Sequence, residues 1–65
     1  MTVLEFIDHC DDSLKINIRH ITEHWSVNEK VGNLFCDDAE YICSCIVRDW
    51  SISGYGKIWL EVTDV

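Results

Sequence analysis

Residues 14–21 read Leu-Lys-Ile-Asn-Ile-Arg-His-Ile, and the choice between strand and helix over this stretch decides the fold. Leu14, Ile16 and Ile18 stand two apart, with Lys15, Asn17 and Arg19 between them. A period of two with β-branched residues gives a β-strand one apolar and one polar face. Toward the N-terminus, residues 3–9 (VLEFIDH) are separated from this run by the turn-forming Cys10-Asp11-Asp12-Ser13. A hairpin closed at Asp11-Asp12 sets Ile7 opposite Ile16 and Asp8 opposite Lys15, an apolar pair on one face and an ion pair on the other. The competing reading is helical. Thr2 with Glu5 matches a capping box, and Leu14, Ile18, Ile21 and Trp25 recur at helical spacing. Ile16 falls off that stripe, so the hairpin is the expectation.

Toward the C-terminus, residues 57–63 (KIWLEVT) repeat the alternation, with Ile58, Leu60 and Val62 against Trp59, Glu61 and Thr63. That predicts a second strand. Residues 38–50 (DAEYICSCIVRDW) carry the best helical pattern: Ala39, Ile42, Cys43, Ile46 and Trp50 on one side, Glu40, Ser44 and Arg48 on the other. Asp37 stands where an N-cap is needed, with Glu40 three residues on. The strand formers between Tyr41 and Val47 keep a β reading open. Residues 26–35 (SVNEKVGNLF) divide between a short helix capped by Ser26 and Glu29 and an irregular connection turning at Gly32-Asn33. Residues 51–56 (SISGYG) read as a loop. The expected fold is therefore α+β, a small antiparallel sheet of three to four strands with one helix near residues 38–50, in a single domain over 1–65. The alternative is a mostly helical chain with a helix-turn-helix-like segment.

Charge bounds the function. Twelve acidic residues against five basic ones give a formal net charge of −7, while 48% of the chain is hydrophobic. The second figure excludes a disordered acidic tail. The acids cluster at Asp8, Asp11 and Asp12, at Asp37, Asp38 and Glu40, and at Glu61 and Asp64. A surface of that sign repels nucleic acid and anionic lipid and attracts basic protein surfaces. The first ten residues hold Glu5 and Asp8 and no basic residue, so no secretory n-region is visible. A cytoplasmic location in a host cell is expected.

The chemistry-bearing residues form weak constellations. Without a secretory signal, Cys10, Cys36, Cys43 and Cys45 are expected as reduced, mostly buried thiols. His20 and His24 with Cys43 and Cys45 supply zinc-ligand types, but without the tight Cys-x2-Cys knuckle of structural sites. His9 and Cys10 point apart on a strand, which denies the thiol an activating base. Asp11-Asp12 and Asp37-Asp38 read as turn and N-cap residues, and no EF-hand or phosphate-binding glycine loop occurs. No catalytic residue, metal or cofactor is expected.

Trp25-Ser26-Val27 through Val31-Gly32 and Phe35-Cys36-Asp37-Asp38 to Ile42 resembles the first helix-turn-helix unit of AraC-type regulators, and Tyr55 to Leu60 resembles the segment that follows there. The resemblance implies helices across this region and DNA binding by the second. That second helix bears Glu40, Cys43, Ser44 and Cys45, with Arg48 its one basic residue, where a DNA reader carries Arg, Lys, Asn or Gln.

The function expected from these observations is a non-enzymatic small acidic inhibitor or regulator that binds a host protein. In size and charge the chain is similar to phage anti-defence inhibitors, the anti-CRISPR and anti-restriction proteins, whose carboxylates stand in for DNA phosphates in the basic nucleic-acid site of a target. The expected contact residues are Asp8, Asp11, Asp12, Asp37, Asp38 and Glu40, with Tyr55 and Trp59 as aromatic anchors. The expected partner is a basic nucleic-acid-binding protein. Direct contact with nucleic acid or membrane is not expected, and exposed edge strands favour a homodimer. The alternatives are a helix-turn-helix-like transcriptional regulator and a small structural or oligomeric module.

Overall fold

The computed structural model describes residues 1–54 and 56–64. Tyr55, expected as a contact residue, lies outside the described residues. The alternating run becomes strand β1 (Lys15–His20), in which Ile16, Ile18 and His20 are buried on one face. It turns back into β2 (Ser26–Lys30) through a loop in which His24 takes a left-handed conformation, φ 61°. A 3-10 turn over Val31–Leu34, another over Asp37–Ala39 and a short helix Glu40–Ser44 follow. The chain then forms β3 (Ile46–Ile52) and β4 (Ile58–Thr63).

The strand order is β2-β1-β4-β3. The β1–β2 and β3–β4 pairs are antiparallel, whereas β1 and β4 run parallel, with Ile16 beside Ile58 and Ile18 beside Leu60. The fold is thus α+β as expected, with a mixed rather than purely antiparallel sheet. The two strands read from strict alternation occupy its centre. A bulge between Val47 and Asp49 inserts Arg48 into β3.

The N-terminal hairpin does not form. Residues Val3–Ile7 make a helix, α1, because the Thr2–Glu5 capping box is realised in both directions. The Glu5 N–H donates to the Thr2 hydroxyl, and the Thr2 N–H donates to the Glu5 carboxylate. Val3 and Ile7, one turn apart, are fully buried by this choice. Ile16 pairs with Glu29 and Ile58 instead of Ile7, and Lys15 pairs with Lys30 instead of Asp8.

The helix expected near 38–50 shortens to Glu40–Ser44, hereafter α2. Its end is local: the Ser44 hydroxyl donates to the Tyr41 carbonyl, and Cys45 is already extended at ψ 153°. From Ile46 the β-branched and aromatic content prevails and builds β3. Asp37 provides no side-chain cap. With residues 26–30 and 46–52 in strands, the helix-turn-helix arrangement is absent among the described residues and the mostly helical alternative is excluded.

Both helices and the 3-10 turns lie on one face of the sheet. There Val3, Ile7, Val31, Leu34, Cys43 and Cys45 pack against Ile16, Ile18, Ile58, Leu60 and Val62. Gly32 lets the 3-10 turn approach the Asp11-Asp12 turn, and a Cβ there would stand 3.1 Å from the Asp12 Cβ. Among the described residues no helix is long and apolar enough to cross a membrane.

Candidate functional site

Side-chain alternation divides the charges of this molecule between two surfaces. On the open face of the sheet, the register aligns Lys15, Asn17 and Arg19 of β1 with Lys30, Asn28 and Ser26 of β2. Trp59 and Glu61 of β4 stand beside Asn17 and Arg19, and Ser51 and Asp49 of β3 beside those. Lys57 precedes Ile58, the partner of Ile16, and so falls next to Lys15. Its ammonium lies 4.8 Å over the Trp59 ring. Arg48, displaced by the bulge, reaches Thr63 on the same face, its Nε donating to the Thr63 hydroxyl at 2.8 Å. All five basic residues of the chain therefore share one face, and by register only Asp49 and Glu61 of the twelve acids point there.

The expected acidic contact residues lie elsewhere. Asp8 follows α1 as its C-cap, and Asp11 and Asp12 form the turn into β1. Asp37, Asp38 and Glu40 begin the segment of α2, which packs on α1. All six are exposed, and among the described residues none pairs with a lysine or arginine. Asp11 accepts hydrogen bonds from the Ser13 hydroxyl at 2.6 Å and the Ser13 N–H at 2.8 Å, which hold its carboxyl below the usual range. Trp59 does not join this set; it is 44% exposed on the opposite, open face.

A third constellation closes the far end of the sheet. His20 is fully buried. Its Nδ1 accepts the Glu23 N–H at 3.0 Å, which places the ring proton on Nε2. Nε2 then donates to Asp64 at 3.1 Å, with the Glu23 carboxylate 3.3 Å away. The Tyr41 hydroxyl reaches both carboxylates, and its single proton serves one at a time. Those bonds raise Tyr41 far above its ordinary value, Asp64 contributing more than Glu23, and they hold Asp64 down. Trp25 packs against both His20 and Tyr41 with the rings tilted.

The zinc set weighed from sequence does not assemble. His24 is exposed in its turn, and the Cys43 thiol donates to the Leu34 carbonyl. His20, Cys45 and Asp64 do bring ligand atoms within 4.8 Å of one another. A metal on Nε2, however, requires the ring proton on Nδ1, where the Glu23 N–H already points. All four cysteines are free; Cys43 and Cys45 are buried, Cys10 half-buried and Cys36 exposed. Desolvation raises Cys10, Cys43 and Cys45 above the ordinary thiol value, away from thiolate chemistry. The constellation works as a clasp tying α2 and the end of β4 to the β1–β2 turn.

Sequence reasoning found the acids and missed the collection of cations. Its signal, Lys15 and Lys57 on the polar side of alternating runs, acquires meaning only once the parallel β1–β4 register is known, and Lys30 joins them only through the β1–β2 pairing. Compared with known proteins, the chain matches no family model, no curated protein and no solved structure.

Proposed function

We propose that this protein is a non-enzymatic inhibitor or regulator that docks its acidic, helix-bearing side on a basic protein surface, with the nucleic-acid site of a host protein as the preferred target. One observation carries the reading: Asp8, Asp11, Asp12, Asp37, Asp38 and Glu40 are exposed and unneutralised, because every lysine and arginine stands on the other face of the sheet. Uncompensated carboxylates project a field that steers a cationic partner toward that side. Exposed Leu4 and Phe35 offer apolar contact from the helix-bearing side. A phage anti-defence role of the anti-CRISPR or anti-restriction kind is the biological setting that this mode of binding suits.

The test is capture by the tagged protein from a bacterial lysate at low and at high salt. Retention of basic nucleic-acid-binding proteins at low salt, their release at high salt, and their loss in the Asp11→Lys/Asp12→Lys and Asp37→Lys/Asp38→Lys variants are the expected results. Capture that ignores both salt and charge reversal contradicts the proposal. A second reading, self-association through β3, is favoured by its outer edge, where Trp50 and Ile52 are 56% and 60% exposed. Concentration-dependent sizing tests it.

A further inference from the structure

Lys30 and Lys15 face each other across β2 and β1, and Lys57, the residue before β4, continues the row beside Lys15. Strands in a sheet are about 4.8 Å apart, so the row spans roughly 10 Å. Like charges directly opposite one another destabilise a sheet. The chain has twelve acids against five bases, yet no acid is interposed in this row. The other two cations are differently placed: Arg19 stands opposite Glu61, and Arg48 bonds Thr63. Among the described residues no carboxylate forms an ion pair with the three lysines.

The row borders a groove of about 390 Å³ lined by Lys15, Lys30, Lys57, Asn28, Asn33 and Glu29, together with Ile16. That volume lies within the range of small-molecule sites. Glu29, its one carboxylate, is engaged by the Asn33 amide at 3.0 Å. The next row along the open face is Asn28, Asn17 and Trp59, with the Asn17 amide donating to Asn28 at 2.9 Å. Trp59 holds the Lys57 ammonium over its ring.

We propose that this groove is a binding site for an oligophosphate chain, either free or as the tail of a nucleoside polyphosphate. Three lysines bordering one groove match an anion whose charges repeat along a short chain, and side-chain amides supply neutral donors beside them. Attraction of Lys57 toward phosphate frees the Trp59 ring, on which a nucleobase stacks. A long single strand is disfavoured. Beyond Trp59 the face carries Glu61 and Asp49, and the net charge of −7 opposes an extended polyanion. The lysines of the site belong to the open face, while Glu29 and Asn33 reach it from the junction of β2 with the following 3-10 turn, and the site does not depend on the acidic docking reading.

Calorimetric titration with inorganic tripolyphosphate, with ATP and with a short oligothymidylate tests the inference. Saturable one-to-one binding of tripolyphosphate and ATP is expected, weakening about tenfold for each of Lys15→Gln, Lys30→Gln and Lys57→Gln. Lys15→Gln removes a repulsion, so it binds less while melting higher, which a merely misfolded variant does not do. Tighter binding of ATP than of tripolyphosphate, lost in Trp59→Leu, assigns the nucleotide; equal affinities assign the free oligophosphate. The inference is overturned if neither probe saturates, if the lysine variants bind like the wild type, or if affinity for oligothymidylate exceeds that for ATP and grows with length. Asp37→Lys/Asp38→Lys keeps the site, so loss of the docking activity and loss of this one are separable.

Discussion

Gly32 is where two turns meet. A methyl group there would stand 3.1 Å from the Asp12 Cβ and 3.3 Å from the Asp12 carbonyl oxygen, so Gly32→Ala requires the Asp11-Asp12 turn to give by a few tenths of an ångström. An overpacking cost of about 1–3 kcal/mol is expected in urea unfolding. At the opposite end, Asp64 is held below its usual value first by the Tyr41 hydroxyl and then by His20. A folded-state value depressed in this way contributes stability above the unfolded carboxylate range, near about pH 4, and loses it as pH falls through the folded value. Asp64→Asn removes that contribution. The gap in stability between wild type and variant should therefore be widest at neutral pH and close in acid. A gap that stays constant across the acid limb would show that the clasp does not act through the Asp64 charge.

At the level of elements, legibility followed the range of the interaction. Alternation is written in consecutive residues, so β1 and β4 could be read directly from Ile16–Ile18 and Ile58–Leu60–Val62. The Thr2–Glu5 box is equally local, but a hairpin register of comparable quality competed with it, and only burial of Val3 and Ile7 decides between them. The end of α2 at Ser44 is local, but the helical spacing that runs on through Ile46 and Trp50 masked it. The parallel pairing of β1 with β4 depends on contacts distant in sequence, and no local pattern carried it. The same limit hid the lysine row. Its acidic counterpart was legible because clusters such as Asp11-Asp12 and Asp37-Asp38 need no pairing partner to be seen. The row also has a cost within the sheet. Replacing Lys15 with Gln removes its repulsion with Lys30 and should stabilise the fold by about 0.2–1 kcal/mol, read as a raised melting temperature in buffer free of multivalent anions.

For the whole molecule, the net charge conceals a division. The helix-bearing side and the sheet ends hold the surplus acids; the open face gathers every lysine and arginine. A protein so divided presents two fields of opposite sign on two sides of a small sheet, and a different ligand is proposed for each. The most direct test is an amide-resolved NMR titration with a short oligolysine peptide, at low and at raised salt. The account predicts salt-sensitive shifts concentrated at Asp8, Asp11, Asp12, Asp37, Asp38 and Glu40, with Lys15, Asn28, Lys30 and Trp59 unmoved. Shifts centred on the open face, or scattered evenly and indifferent to salt, would contradict it.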